Sequence, residues 1–187
     1  AKFKVGLAGM YKIYGHSRMR VATIHSNPSG SKNATPYSNR GWCVFEQSVA
    51  RLGFKSEKVY FCDPKDISDG YIRPIMEPGE FNAAVDKCVF SAAYDNGLVK
   101  EMYQKIFSMA AAKVEKLYFG YMKREQLSSV ARVIPKMRAL KVVNFDCVHM
   151  TDADAAMLAK AVLGAKNAKQ CPNFECLNLP NCTIGDA

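Results

Sequence analysis

In the N-terminal third of the chain, segments whose apolar residues recur at helical spacing alternate with segments whose apolar residues recur at every second position. Apolar residues at helical spacing predict helices over 2–14 and 42–53. Alternating apolar and polar residues predict strands over 18–24 and 58–62. The polar loop 27–33, rich in turn-forming residues, separates the first strand from the second helix. Helix, strand, loop, helix and strand in this order predict a parallel α/β sheet.

The middle of the chain predicts a connector followed by two helices. Residues 63–78 contain Asp-Pro, Asp-Gly, Arg-Pro and Glu-Pro pairs, which favour turns and extended backbone. Helices are predicted over 79–89 and 97–112, with a turn at Asn96-Gly97 between them. The residues expected to face inward are Phe81, Val85 and Val89 in the first helix, and Leu98, Met102, Ile106, Met109 and Ala110 in the second.

A repeated apolar frame fills the C-terminal part of the chain. Its complete copy is Phe174-x-x-Leu177-x-Leu179-x-x-Cys182-x-Ile184, which is a leucine-rich-repeat signature. The same frame fits a copy that begins at Leu140 and, more loosely, one that begins at Val114, so that successive copies start 26 and 34 residues apart. We therefore expect parallel strands whose inward residues form one buried ladder. Those residues are Leu117, Phe119, Val143, Phe145, Leu177 and Leu179.

A helix is predicted after each of the first two strands of this frame, over 123–135 and 152–163. Thr151 is expected to cap the second helix, with acidic residues in its first turn. A strand and a full helix per repeat resemble the ribonuclease-inhibitor type of leucine-rich-repeat solenoid. A βα pattern without true repeats is the alternative. In a solenoid, residues 79–112 would form the helical N-terminal cap, because each repeat offers an apolar face to its neighbour.

The composition is that of a globular protein, with 49% hydrophobic and 23% charged residues in a chain of 187. The net charge of +9, from 26 Lys and Arg against 17 Asp and Glu, favours an acidic protein or an anionic surface as a partner. Aromatic residues do not interleave with the scattered basic residues, which disfavours nucleic acid. No apolar run reaches the length of a transmembrane span, about 18 residues.

Cysteine and histidine residues form no metal or redox motif. The seven Cys contain no C-x-x-C pair, and the three His have no ligand spacing. A free Cys in apolar surroundings behaves as a small hydrophobic residue. We therefore expect no metal site and a reducing intracellular compartment, with an organelle such as a plastid or a mitochondrion left open.

One motif with candidate chemistry lies between the first strand and the second helix. It reads Tyr37-x-x-Arg40-Gly41-Trp42-Cys43-x-x-Glu46 and contains the single Trp of the chain. It resembles the Trp-Cys-x-x-Glu segment of TIR domains, most closely the plant ones. The resemblance implies that Glu46 is catalytic and acts on the ribose of NAD during cleavage of the nicotinamide bond. Trp42 and Cys43 would then shape the cofactor-binding wall, and the carboxylate would stabilise an oxocarbenium-like centre.

Glu46 also has a structural interpretation, as a helix-surface residue or as an ion-pair partner of Arg40 or Arg51. The first strand of a TIR domain and the loop that helps to hold the nucleotide are absent from the sequence, and so is a Gly-rich phosphate loop. Trp42 is expected to pack against the 18–24 strand and to donate its indole N–H to an acceptor.

A longer resemblance covers most of the chain. Tyr14-Gly15-His16, Arg40-Gly41-Trp42 and Phe45-Glu46, together with the repeats, resemble proteins of unicellular algae, including dinoflagellates and haptophytes. Those proteins join a TIR-like α/β region to C-terminal leucine-rich repeats of ribonuclease-inhibitor type. The domains that this implies are a partial TIR-like or Rossmann-like α/β segment at 1–62, a connector at 63–78, the helical cap at 79–112 and incomplete repeats at 113–187.

These observations predict an α/β protein that works by binding other proteins. Two strands do not make an independently stable sheet, so we expect the chain to be an ordered fragment of a longer polypeptide within a larger assembly. The expected function is that of a non-enzymatic interaction or scaffold subunit, with other protein subunits as partners and no cofactor. The alternative is a TIR-like hydrolase that consumes NAD and is regulated by its leucine-rich repeats.

Overall fold

The computed structural model describes residues 21–25, 27, 29–52, 59–61, 75–120 and 122–185, and the backbone alone for 59–61. The helix predicted over 2–14 lies outside the described residues, as do Tyr14-Gly15-His16 and most of the connector. The described strands are β1 Val21–Thr23, β2 Val59–Phe61, β3 Lys116–Gly120, β4 Val142–Asp146, β5 His149–Met150, β6 Cys176–Asn178 and β7 Thr183–Ile184. The helices are α1 Gly41–Leu52, α2 Pro78–Val85, α3 Asp95–Ala111, α4 Leu127–Val133 and α5 Asp152–Asn167, with short 3₁₀ helices at Tyr37–Asn39, Arg124–Gln126 and Ile134–Lys136.

All strand pairs of the described part are parallel, which confirms the predicted α/β class. β1 pairs with β2, the strands β3, β4 and β6 form one sheet in that order, and β5 pairs with β7. In the three-stranded sheet Leu117, Val143 and Leu177 lie side by side. Each parallel step is crossed by a helix, α4 between β3 and β4 and α5 between β4 and β6, as parallel connections require.

The register of these strands is regular. Paired residues are 26 apart between β3 and β4, and 34 apart both between β4 and β6 and between β5 and β7. Two residues with left-handed backbone, Cys147 (φ 53°) and Asn181 (φ 54°), are also 34 positions apart and follow β4 and β6. The hydrogen-bond register thus has the spacing that the apolar frame has in the sequence.

One hydrophobic core runs from α1 to the loop before β6, including Val44 at one end and Phe174 at the other. Aromatic rings connect the first three helices, with centroid distances of 5.8 Å for Trp42–Phe45, 6.3 Å for Phe45–Phe81 and 3.9 Å for Phe81–Tyr103. The hydroxyl of the fully buried Tyr103 donates to Met76 O at 2.7 Å, and burial raises the pKa of that phenol. α1 therefore shares its core with the segment predicted to be the helical cap.

Four of the six expected ladder residues are buried. Leu117 and Phe119 on β3 and Val143 and Phe145 on β4 have little or no exposed surface, and the two Phe rings stack at 5.2 Å. The other two differ from the prediction: Leu177 and Leu179 are only half-buried, and Leu179 lies beyond the end of β6. Burial decreases here because, in the described part, β6 pairs with β4 alone.

The two helices before β3 differ from the prediction in their details. α2 ends at Val85, and Val89, predicted to face inward, is 60% exposed and forms a parallel bridge with Arg40. α3 begins at Asp95, so Asn96-Gly97 lies in its first turn instead of forming a separate turn. Of its five residues expected to face inward, Met102 and Ile106 are buried as predicted, Leu98 and Ala110 are partly buried, and Met109 is exposed. Val99, Tyr103 and Phe107 are buried in addition, and Tyr103 stacks on Phe81, which places the aromatic side of α3 against α2.

The predicted cap of the helix after β5 is confirmed. Thr151 is the N-cap of α5, and its hydroxyl accepts from Asp154 N at 3.3 Å. The Asp154 carboxylate in turn accepts from Thr151 N at 2.9 Å, which completes a capping box. Arg124 also donates to Asp154, at 2.6 Å, and so connects the segment after β3 to the start of α5.

Candidate functional site

The motif between β1 and α1 is held in place by Arg40. Its guanidinium donates to Thr35 O at 2.8 Å, to Asn27 Oδ1 at 2.7 Å and to Asn33 O at 3.3 Å. The side chain thus ties the polar loop to the start of α1. The Arg40 guanidinium thus forms its hydrogen bonds with the loop. No ion pair between Arg40 and Glu46, one of the two pairings that the sequence suggested, is present among the described residues.

Gly41, the first residue of α1, lies directly beneath the ring of Phe90. A Cβ at this position would be 1.9 Å from Phe90 Cζ, a distance that no side chain can adopt. The backbone on either side is fixed as well, because Gly41 N donates to Val89 O at 3.0 Å and Val89 N donates to Asn39 O at 2.8 Å. Only glycine allows this approach between the start of α1 and the segment after α2.

Trp42 connects α1 to α3. Its indole N–H donates to Asp95 Oδ2 at 2.8 Å, and Asp95 is only 7% exposed. The prediction of an acceptor for the indole is therefore confirmed. The acceptor lies on the first residue of α3, and the ring meets Phe45 edge-on. That Trp42 packs on the 18–24 strand stays a prediction, because residues 18–20 lie outside the described residues.

Cys43 and Glu46 are neighbours on α1, and both are half-buried. Burial raises the pKa of the Cys43 thiol, the negative charge of Glu46 raises it further, and Arg40 opposes the shift. Cys43 is therefore a protonated thiol at neutral pH and a weak nucleophile. Of the three residues predicted for an NAD site, the structure brings Cys43 and Glu46 together, whereas the indole of Trp42 points its polar edge at Asp95.

Arg51, near the end of α1, is a buried cation. It is 9% exposed, and its Nε has no hydrogen-bond partner among the described residues. Burial lowers its pKa to about 10, so the guanidinium still carries its charge at neutral pH. Nothing in the described part pairs it with Glu46, the alternative partner that the sequence suggested.

A second candidate site is the open face of the three-stranded sheet, which we call the strand face. Because side chains alternate along a strand, the residues between the buried ladder positions point to the other side. Tyr118, Asn144 and Asn178 form its central row, and all three are at least partly exposed. The flanking rows are Lys116, Val142 and Cys176 on one side, and Gly120 and Asp146 on the other.

Short polar contacts order parts of the strand face. The Cys176 thiol donates to Asn178 Oδ1 at 2.8 Å, and Asn181 Nδ2 donates to Asp146 Oδ1 at 3.0 Å. Asn144 differs from these residues, since its buried Oδ1 has no hydrogen-bond partner within the described part. A buried amide oxygen without a hydrogen-bond donor costs about 1–3 kcal/mol of stability.

No role was predicted for these residues from the sequence. The signal was present, because they occupy the variable positions between the apolar residues of the repeated frame. The sequence does not show which of these positions lie next to each other until the strands are aligned. The central row joins residues that are 26 and 34 positions apart in the chain.

Metal binding and membrane insertion have no support in the described part of the chain. No group of three or more His, Cys, Asp and Glu side chains there could hold a metal ion. Among the described helices, none is both long and apolar enough to cross a membrane.

Comparison of the sequence and the structure with protein families, with curated proteins and with solved structures found no match.

Proposed function

We propose that this chain is a protein-interaction module, a scaffold subunit whose strand-and-helix units are leucine-rich repeats of ribonuclease-inhibitor type. The observation that carries the proposal is the strand face, with Tyr118, Asn144 and Asn178 in one row across three parallel strands. The common spacing of the strand register and of the apolar frame supports the repeat interpretation. Repeats of this kind work by presenting such a surface to other proteins.

The row has the chemistry of a protein-binding surface. Asn side chains both donate and accept hydrogen bonds, so they can pair with the backbone of an approaching segment. Tyr118 adds a rigid apolar ring with a polar tip, which is the side chain type that contributes most at protein interfaces. The six described cysteines are all free thiols, which supports a reducing intracellular compartment for the complex.

Photo-cross-linking tests the proposal. The photoreactive residue p-benzoylphenylalanine is placed at Tyr118 in one variant and at Leu163 in another, since Leu163 is 58% exposed on α5. Both variants are irradiated in extract of the cells that produce the protein. The proposal predicts a discrete cross-linked partner at position 118 that disappears when Asn144→Ala is added. Equal cross-linking at both positions, or none at 118, would contradict it.

The second candidate function is the hydrolysis of NAD by Glu46. One observation favours it: Glu46 lies half-buried on the helix that follows β1 of a parallel pair, beside Cys43. Cleavage of the nicotinamide bond needs walls that orient the ribose and shield the developing cation. We expect no nicotinamide release when this chain is incubated with NAD. Release that is lost in Glu46→Gln would establish the hydrolase instead.

A further inference from the structure

A basic trough lies beside the helix ends and contains no residue of the strand face. It consists of two adjoining grooves of about 480 and 520 Å³ that share Lys136 and Arg138. The first groove is lined also by Pro78, Gln104, Phe107 and Ala111. The second is lined also by Pro135, Lys169, Gln170 and Pro172.

The charge of the trough is positive and largely uncompensated. Lys136 pairs with Glu77 at 2.8 Å at one end of the first groove. Arg138 and Lys169 are exposed, and neither side chain makes an ion pair with another residue of the described part. The second groove has no carboxylate in its lining. An anionic group placed there would meet two cations whose charges are not already neutralised.

Lys169 occupies a position where glycine is the favoured residue. It follows the C-cap of α5 with a left-handed backbone, φ 56°. Lys169 N donates to Lys166 O at 3.0 Å and Gln170 N donates to Ala165 O at 2.8 Å, which is the hydrogen-bond pattern of a Schellman motif. Left-handed backbone strains a residue that has a Cβ. The chain thus carries a strained lysine whose side chain lines the groove.

The trough also has an apolar side. The rings of Pro135 and Pro172, which are at least partly exposed, form part of the second groove, whereas Phe107 and Ala111 at the base of the first groove are buried. No exposed aromatic ring is among the lining residues, so the bases of a nucleic acid would have no surface on which to stack. With two free cations, few phosphates could be neutralised, which would give little nucleic-acid affinity.

We propose that the trough binds a short acidic segment of a partner protein, with Asp or Glu side chains over Arg138 and Lys169 and an apolar side chain against Pro135 and Pro172. Charge complementarity selects the acidic residues, and the volume of the two grooves fits a peptide of a few residues. This surface is separate from the strand face, so the two proposals succeed or fail independently.

The test uses the whole chain and a fluorescein-labelled peptide, Glu-Asp-Leu-Glu-Asp-Leu-Glu-Asp, followed by fluorescence anisotropy. The reference peptide has Gln and Asn in place of Glu and Asp. Two further probes are a single-stranded oligodeoxynucleotide and vesicles that contain phosphatidylserine. We expect the acidic peptide to bind, the neutral peptide to bind at least several-fold more weakly, and affinity to fall with added salt.

The variant Lys169→Gly separates loss of binding from loss of folding, because it removes the positive charge while relieving the backbone strain at this position. The variant should unfold at a higher urea concentration than the wild type and yet bind the acidic peptide about two- to fivefold more weakly. Arg138→Gln should weaken binding by a similar factor, whereas Lys160→Gln, an equal charge change on α5 outside the trough, should not. Unchanged peptide affinity in Lys169→Gly would overturn the proposal, as would tighter, Arg138-dependent binding of the oligonucleotide or the vesicles.

Discussion

Replacing Trp42 by Phe should weaken the attachment of α1 to α3. Phe keeps a ring against Phe45 but removes the indole N–H, so the buried Asp95 carboxylate loses a donor that now lies at 2.8 Å. Hydrogen bonds to charged groups contribute about 1.5–3 kcal/mol, and the smaller ring also leaves some space unfilled. We therefore expect Trp42→Phe to lower the free energy of unfolding by about 2 kcal/mol.

The measurement is urea unfolding followed by far-UV circular dichroism, because the variant lacks the only Trp and so has no indole fluorescence. A double-mutant cycle with Asp95→Ala, which removes the acceptor, isolates the bond itself, and the coupling energy should be about 1 kcal/mol or more. Asp86→Ala provides the matched control, since Asp86 is an exposed carboxylate paired with Lys100 at 2.5 Å and should matter little. A coupling energy near zero would refute the reasoning and leave Trp42 as a packing residue only.

Three further predictions concern other contacts. Gly41→Ala should destabilise the protein by about 1–3 kcal/mol, because its Cβ would overlap Phe90, and adding Phe90→Ala should restore most of that loss in urea unfolding. Tyr103→Phe should cost about 1–2 kcal/mol, since Met76 O loses its buried donor; a cost near zero would show that water replaces the hydroxyl. The Thr151 backbone N–H lowers the pKa of Asp154, so its stabilisation is present above about pH 4 and is lost as the pH falls through the lower folded-state value. The Asp154→Asn variant should therefore have a lower melting temperature than the wild type at neutral pH. Its melting temperature should also fall less steeply than that of the wild type as the pH is lowered below about 4.

The elements governed by local periodicity could be predicted from the sequence. Alternation of apolar and polar residues identified Leu117, Phe119, Val143 and Phe145 as inward, and the structure buries all four. The cap at Thr151 followed from residue types within one helical turn. In both cases the determining interactions lie a few residues apart, or repeat at a spacing that the sequence displays.

The features that could not be predicted depend on contacts between distant residues. Asp95 accepts from Trp42 across 53 positions, and Phe90 covers Gly41 only because the backbone after α2 pairs with the start of α1. The buried face of α3 was predicted only in part for the same reason: Met102 and Ile106 are buried as expected, but the stacking of Tyr103 on Phe81 adds aromatic residues to that face and Met109 is exposed. Leu177 resembles the buried Val143 in sequence but is half-buried, because burial depends on which strands lie beside it.

The unequal spacings of 26 and 34 residues between paired strands have a consequence for protein engineering. The longer unit contains β5 and the longer helix, Asp152–Asn167, whereas the shorter unit has Leu127–Val133 between two 3₁₀ turns. The additional residues are thus accommodated in the connection and the outer helix layer, and the side-by-side alignment of the strands is unchanged. An insertion of whole helical turns into one of the connecting helices would therefore change the size and chemistry of the helix side of the molecule. The spacing of the side chains on the strand face would be preserved. The helix side and the strand face can thus be altered separately.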